Sequence, residues 1–364
     1  MILIITEKQD GHVGAVSPHL DAADAPWVRM NTEDLPTNAM FAMSPAEGAG
    51  LIRLRDSGKH IDIQDVQSVW YRKPAPPTFT HLALDEAAKD YVEAEFNEIL
   101  HGTYAILRDA LWINDPFTTR ISHRKMLQLH IAQKVGFTVP KTLVTNDAAE
   151  ALRFADAIGT DLAIKSLGAL SVAQEVGDES VQYGVFTRRL TRGELEEFQD
   201  KIGCLPTQFQ EFIEKRSELR ITCVGKEDVF ACRIEPEPGQ EFPDDSRFNI
   251  SSLKHVACSC PELLPMLHGY MEAFGLNFGC FDVAIRKTGE PVFLECNPNG
   301  QWLWVERITG LPIAKAIANE LMSSPPKKKG TPPPLTAKDL QLLSASLSNE
   351  DFRRFCKNRN HARH

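Results

Sequence analysis

Two apolar runs near the C-terminus, Phe281-Asp282-Val283-Ala284-Ile285 and Phe293-Leu294-Glu295-Cys296-Asn297-Pro298-Asn299-Gly300, constrain this chain more than any other feature. Both are rich in β-branched and apolar residues, and the intervening Thr288-Gly289 is a turn signal, so the pair reads as a β-hairpin. With Thr288-Gly289 as a two-residue turn, Lys287 pairs with Glu290, Ala284 with Phe293 and Asp282 with Glu295. Side chains alternate along a strand, so Asn297 shares the face of Glu295 while Val292, Leu294 and Cys296 take the other. Two carboxylates and an amide oxygen on one face of an apolar hairpin are costly unless a cation sits among them. All three donors are hard oxygens, and Mg²⁺ uses one or two such carboxylates while water and phosphate complete its shell. The competing reading has the acids ending their strands in solvent, and a shift of turn register would separate them.

At 364 residues the chain exceeds one ordinary core and suggests two or three domains. Its 43% apolar and 24% charged residues suit a soluble globular protein, and a net charge of −9 argues against nucleic acid as the main ligand. No stretch approaches the length of a membrane span. The opening Met1-Ile2-Leu3-Ile4-Ile5-Thr6 is too short for a signal peptide and lacks a basic flank, so it reads as a buried first strand. Eight cysteines, among them Cys223, Cys232, Cys280 and Cys296 within apolar strands, read as reduced core thiols of a cytoplasmic protein. Cys258-Ser259-Cys260 has neither zinc spacing nor a second pair.

Four stretches follow from the patterning. Residues 1–117 alternate strand and helix as a small α/β domain, with strands at 1–6 and 66–71, a long amphipathic helix over 84–107 and a short strand running into Asn114-Asp115-Pro116. Residues 118–203 carry a helix over 121–135 stopped by Gly136, a strand at 141–145, a helix at 148–158 capped by Asn146-Asp147, and a strand at 161–165. A polar, glycine-bearing stretch at 166–184 follows, matching neither the Walker A loop nor the dinucleotide fingerprint. Thr191-Arg192-Gly193-Glu194 then has capping-box spacing and opens a helix to Ile202. Residues 204–322 give strands at 207–213, 218–224 and 229–234, a helix at 261–274 and the hairpin, hence a mainly antiparallel sheet. Residues 323–364 read as a Pro/Lys-rich linker and a basic appendix, either a solvated tail or a partner-binding arm.

Several polar residues stand out along this frame. Lys125 lies in the helix that opens the second stretch, and taken alone reads as a surface lysine. Lys165 ends Leu162-Ala163-Ile164, so its ammonium emerges where a strand leaves the core beside the 166–184 stretch. Gln210-Glu211-Phe212-Ile213 alternates polar and apolar groups like an ordinary amphipathic edge. The order of the pieces is more specific than any one of them. Asn114-Asp115-Pro116, Lys125, Lys165 with its loop, Gln210-Glu211-Phe212-Ile213, Glu218-Leu219-Arg220, Asp282 and Glu295-Cys296-Asn297-Pro298 together resemble the ATP-grasp superfamily over roughly residues 110–320.

That resemblance implies an α/β (α+β) fold in which two sheet-bearing subdomains, 118–203 and 204–322, clasp ATP behind an N-terminal pre-ATP-grasp domain. It implies Lys125 and Lys165 on phosphates, Gln210, Glu211, Phe212 and Ile213 as the hinge at adenine, and 166–184 as a lid. It further implies Asp282, Glu295 and Asn297 as Mg²⁺ ligands, for two ions, with Arg220 and Arg233 stabilising the transferring phosphoryl group. Within the superfamily, Trp70-Tyr71-Arg72-Lys73-Pro74, Asn114-Asp115-Pro116 and the Phe293 to Trp302 run look most like the microviridin-type graspetide synthetases. Enzymes of that branch phosphorylate Asp or Glu side chains of a precursor peptide and close ω-ester or ω-amide rings through an acyl phosphate. The implied partner is a peptide with a leader and an acidic, Ser/Thr-rich core; homodimers are common in the branch. Two other readings compete: a glutamate-ligase-like enzyme joining an amino acid to a small acid or peptide end, and an inactive nucleotide- or peptide-binding protein. Product mass separates the first two, since ligation adds a residue and cyclisation removes water. The retention together of Lys125, Lys165, Asp282, Glu295 and Asn297 counts against the third.

Overall fold

Strand β1 (Ile2–Thr6) is buried along its whole length, as a central parallel strand covered on both faces must be. Helix α1 (Gly11–Ala22) starts at Asp10, whose carboxylate accepts from the His12 N–H, and leads to β2 (Trp27–Asn31). Strands β3 (Ala39–Ser44), β4 (Ala49–Leu54) and β5 (His60–Asp62) form a small antiparallel sheet between the two strands expected at 1–6 and 66–71. Its Ile52 and Ile61 join one core with Leu3, Ile5 and Val69. Strand β6 (Ser68–Tyr71), helix α2 (Glu86–Ile106) and β7 (Leu111–Ile113) follow the predicted positions, and the parallel sheet runs β2-β1-β6-β7. The computed structural model describes residues 1–324 except positions 36, 45, 47–48, 79–83, 169–170, 177–178, 185–186 and 244–251, with backbone alone for strand positions 171–176 and 179–184 and for Glu86. The expected appendix beyond 324 lies outside the described residues.

The helix predicted over 121–135 is two helices, α3 (Pro116–Ser122), capped by Asp115, and α4 (Lys125–Lys134). They separate because Arg124 adopts an extended backbone, φ −72° and ψ 102°. Next come β8 (Thr142–Thr145), α5 (Ala148–Ile158), capped by Asp147 as expected, and β9 (Leu162–Lys165). The stretch read as a loop at 166–184 contains an antiparallel hairpin of β10 (Ser171–Val176) and β11 (Glu179–Gly184). After β12 (Arg188–Leu190), the Thr191–Glu194 capping box opens α6 (Arg192–Glu197); α7 (Gln199–Ile202) and β13 (Thr207–Glu211) complete the unit. Its sheet runs β12-β9-β13-β8, with Leu162, Leu190 and Phe209 turned onto the three helices.

A five-stranded antiparallel sheet follows in the order β16-β15-β14-β17-β18: β14 (Lys215–Val224), β15 (Asp228–Glu235), β16 (Lys254–Cys258), β17 (Phe278–Arg286) and β18 (Pro291–Asn297). Helix α8 (Leu264–Phe274) precedes β17, and α9 (Leu303–Thr309) and α10 (Ile313–Met322) follow β18. One sheet face buries Leu219, Ile221, Phe281, Val283 and Phe293 against α4 and α8. The other face is divided. At one end Val224, Cys232, Phe278 and Cys280 share a core with α1, α10 and the parallel sheet; at the other, Ala284 and Val292 meet Ile213. Ile313, Ile317 and Leu321 of α10 are almost wholly buried in the shared core, each contributing about 1.5–3 kcal/mol and fixing the two sheets together. Among the described residues Cys223, Cys232, Cys260, Cys280 and Cys296 are buried free thiols, and no helix is long and apolar enough to cross a membrane.

The hairpin differs from its predicted arithmetic in two compensating ways. Arg286 N–H donates to Glu290 O, so the loop has three residues, Lys287-Thr288-Gly289, with Gly289 at φ 99°. Ala284 consequently pairs with Val292, and Phe293 with Val283. A bulge at Leu294 then restores the count, and Asp282 does stand opposite Glu295 and Cys280 opposite Asn297. The bulge also corrects the facing: Val292 and Leu294 belong to the apolar cluster with Ala284, on the side that carries Asp282, while Cys296 joins Phe293 under the helices.

Candidate active site

The middle of the divided face is polar because strand alternation puts Glu218 and Arg220 of β14, Asp282 of β17 and Glu295 of β18 side by side there. Arg220 Nη1 donates to both oxygens of Asp282, at 2.8 and 2.9 Å, and Nη2 donates to Gln301 O at 2.9 Å. Burial opposes the charge on Arg220, but the facing Asp282 more than offsets it and the guanidinium is held above its ordinary range. Burial raises the Asp282 carboxyl; Arg220 pulls it back, Glu295 pushes it further, and the net direction is up. Carboxylates directly opposite each other on neighbouring strands repel, and here Asp282 stands between Arg220 on one neighbouring strand and Glu295 on the other, with one guanidinium to offset two negative charges. Asn297 Oδ1 accepts from the Asn299 N–H at 2.9 Å and retains a second lone pair. Among the described residues no three His, Cys, Asp or Glu side chains gather as a metal cluster. Two carboxylates and an amide oxygen instead suit a hard cation that also takes phosphate oxygens.

Helix α4 fixes the opposite wall. Its Gln128 donates from Nε2 to Cys296 O at 2.8 Å and accepts the Cys296 N–H at 3.0 Å, so it pairs with the edge strand β18 as another strand would. That contact sets Lys125, at the start of the same helix, relative to Glu295. Lys125 Nζ donates to Ser166 O at 2.8 Å, just past the end of β9. Lys165 lies opposite Gln208 in the register and on the face away from Phe209. Burial lowers the Lys165 pKa, as do the nearby Lys125 and Lys215 charges, while Glu295 and Glu218 act the other way. Three ammonium groups around one point are unfavourable alone and favourable around a polyphosphate. Gln208 Oε1, buried on this wall, has no hydrogen-bond partner.

The four expected hinge residues do different things. Gln210 Nε2 donates to Thr142 Oγ1 at 2.9 Å, Glu211 pairs with Arg286 at 2.8 Å, and Phe212 lies under Arg189, 4.5 Å from guanidinium carbon to ring centre. Their backbone is partly committed too, since the Glu211 N–H donates to Lys141 O and the Phe212 N–H to Asp161 O. Ile213 alone turns its side chain into the apolar cluster of Ala284, Val292 and Leu294, and its N–H makes no bond to another described residue. An apolar cluster of this composition beside an open N–H is chemically suited to a flat heteroaromatic base.

Arg233 is not brought to the site. It pairs across the sheet with Leu219, whose side chain faces α8, so Arg233 points to the same side; there it pairs with Glu235 at 3.0 Å. The reading that placed it beside the phosphoryl group ignored the period of two, by which residue 232, not 233, stands opposite Arg220. Lys215 is the converse, a residue the sequence reading passed over. A bulge at Arg216 turns it onto the site face, where it pairs with Glu218 at 2.6 Å. Counting back from Arg220 by twos misses it, and no local signal marks the bulge.

Comparison with known proteins adds three findings. Residues 1–120 match the MvdD pre-ATP grasp domain family. A RiPP-associated ATP-grasp ligase of Chryseobacterium gregarium, solved with ADP and a leader and core peptide, is 27% identical over 90% of this chain and 97% of that one, with a TM-score of 0.79. Macrocyclase MdnC of Microcystis aeruginosa MRC, bound with precursor peptide MdnA, is 26% identical over 89% and 100% at a TM-score of 0.77. Macrocyclase MdnB of the same organism is 28% identical over 88% and 99% at 0.69. No curated protein sequence matches the chain significantly.

Proposed function

We propose, on the premise that this chain belongs to the RiPP-associated ATP-grasp ligases, that it phosphorylates Asp or Glu side chains of a ribosomally made precursor peptide and closes ω-ester or ω-amide rings. The observation that carries the chemistry is the convergence of Lys125, Lys165 and Lys215 on the sheet face that carries Glu218, Arg220, Asp282 and Glu295. Activating a carboxylate brings one anion up to another, and positioned cations must offset that repulsion. In this reading Lys125, Lys165 and Lys215 hold the phosphates, and Ile213, Ala284, Val292 and Leu294 hold the base. Asp282, Glu295 and Asn297 hold Mg²⁺, which supplies charge neutralisation at the γ-phosphate; a second ion is part of the proposal. Arg220 stabilises the transferring phosphoryl group, reaching it from beside Asp282. The peptide carboxylate oxygen bonds to the γ-phosphorus as ADP leaves. A Ser or Thr hydroxyl or a Lys amine then attacks the acyl carbon, and inorganic phosphate departs with the bonding pair.

The test is mass spectrometry. With ATP, Mg²⁺ and an acidic, Ser/Thr-rich precursor peptide, the peptide should lose one water per ring. A peptide of unchanged mass, accompanied by rapid ATP turnover on another acid, would sink the macrocyclase reading. Gain of a residue mass would instead favour the amino-acid-ligating one.

A further inference from the structure

Both motifs of the parallel sheet that the sequence singles out, Trp70 to Pro74 and Asn114 to Pro116, lie outside the nucleotide cleft, yet each grips the segment that follows Asn297. Asn114 Nδ2 donates to Pro298 O and to Phe278 O, both at 2.7 Å, while its Oδ1 accepts the N–H groups of Asn277 and Phe278. Arg72, 3% exposed, donates from Nη1 to Asn299 O at 2.6 Å and from Nη2 to Gln301 Oε1 at 3.1 Å. Gln301 is thus shared between two arginines. Arg72 holds its side-chain oxygen and Arg220 its backbone oxygen. Between them Gly300 admits no side chain, since a Cβ there would stand 2.4 Å from Cys280 Cβ and 3.0 Å from Arg220 Nη2.

Arg72 is itself oriented from behind. Its Nη2 lies 3.2 Å from His12 Nε2, and a guanidinium can only donate, so Nε2 accepts and the proton resides on Nδ1. Nδ1 is 2.8 Å from Asp10 Oδ1, and Asp10 also accepts from Thr6 Oγ1 at 2.8 Å. The His12 ring packs edge-on to Trp302, 5.1 Å between centres. A buried arginine is expensive, and an apolar side chain of its volume would fill the space at less cost. What a guanidinium adds is a planar fork that fixes two acceptors at once.

We propose that Arg72 is a positioning residue for phosphoryl transfer, acting on Arg220 through Gln301. The proposal rests on the ligase reading above. The Arg72 fork fixes Asn299 and Gln301, Gln301 O fixes one Nη of Arg220, and the other Nη is left to face Asp282 and the transferring group. Without the fork, Arg220 keeps its charge but loses its anchor.

The test uses the full-length protein with the precursor peptide, comparing Arg72→Met, Arg72→Lys and Gln301→Ala with wild type. Arg72→Met should lower kcat about 10- to 100-fold, the loss typical of misplaced reacting groups. KM for ATP and the affinity for Mg·ADP, measured directly by calorimetry, should stay within about twofold of wild type. Gln301→Ala, whose small side-chain loss leaves the buried cluster intact, should lower kcat several-fold, and adding it to Arg72→Met should cost less than it does alone. Arg72→Lys should remain impaired, because one ammonium cannot serve both acceptors. Wild-type kcat in Arg72→Met or Gln301→Ala overturns the proposal, as does full activity in Arg72→Lys or a loss confined to Mg·ADP affinity. A wild-type protein that modifies no peptide defeats the ligase reading instead, so the two failures are distinguishable.

Discussion

Arg220 and Arg233 occupy neighbouring strands of one sheet, and both are arginines that the sequence nominates for the same task, yet their surroundings share almost nothing. Arg220 lies on the site face, 11% exposed, with Asp282 and Gln301 as partners. Arg233 faces the helix side, 45% exposed, with Glu235 two residues away as its partner. The difference is a single residue of strand parity. It separates a guanidinium sheltered at 11% exposure from one that water screens at 45%, while the two partner acids are about equally exposed, so the stronger charge coupling belongs to Arg220.

The largest break in that contrast should come from the cleft face. Glu295→Gln removes a proposed Mg²⁺ ligand and should reduce turnover about 10³-fold or more, with Mg²⁺ affinity falling in parallel when read by Mn²⁺ titration and paramagnetic resonance. The same substitution relieves the cross-strand repulsion with Asp282, so the metal-free protein should become more stable, by up to about 1 kcal/mol in urea. Unaffected turnover would refute the metal assignment.

Arg220→Met comes next, with a loss of about 10²- to 10³-fold in turnover. It leaves Asp282, 31% exposed, beside Glu295 without its cation, so stability should fall by about 1–2 kcal/mol near neutral pH, less than for a fully buried pair because water screens part of the charge. The sign of the pH dependence follows from the raised Asp282 pKa. An acid whose folded pKa lies above its unfolded value favours folding when protonated, and that contribution disappears as pH rises through the folded value. The variant's deficit should therefore shrink in acid, from the folded pKa down toward about pH 4, and Mg²⁺ should recover part of it at neutral pH. A deficit that grows in acid would contradict the direction given for Asp282.

How much of this was legible in the chain can be judged residue by residue. The facing of Asp282 and Glu295 was readable, but only because two departures cancelled: a three-residue loop shifted the register by one and a bulge at Leu294 shifted it back. Alternation alone therefore gave the right pair and the wrong neighbours, with Val292 and Leu294 assigned to the face they do not occupy. Lys215 was hidden by the bulge at Arg216, which no residue type announces. Helix ends were clearer, since Asp147 and the Thr191–Glu194 box act through atoms a few residues away. The grip of Arg72 on Gln301 spans 229 positions, and no spacing rule reaches across a sheet that has yet to be assembled.

Gly300→Ala tests how tightly the cleft face is tied to its surroundings. The added methyl must displace Cys280 or Arg220, and should cost about 1–3 kcal/mol with a several-fold loss of turnover, measured by urea unfolding and peptide mass conversion. Full retention of both would mean that the loop after Asn297 yields easily, weakening the argument that it fixes Arg220.

The smallest effect belongs to Arg233→Ala. Half-exposed and ion-paired with the partly exposed Glu235, Arg233 should contribute no more than about 0.5 kcal/mol to stability. Turnover should stay within about twofold of wild type, because the sheet separates its guanidinium from the face that carries Arg220 and Asp282. The pair of variants is more telling than either alone. If Arg220→Met and Arg233→Ala each cost an order of magnitude or more in turnover, strand parity does not decide which arginine serves the chemistry. If only the first does, one step along a strand is the whole difference between a group at the reacting phosphoryl and a solvated surface charge.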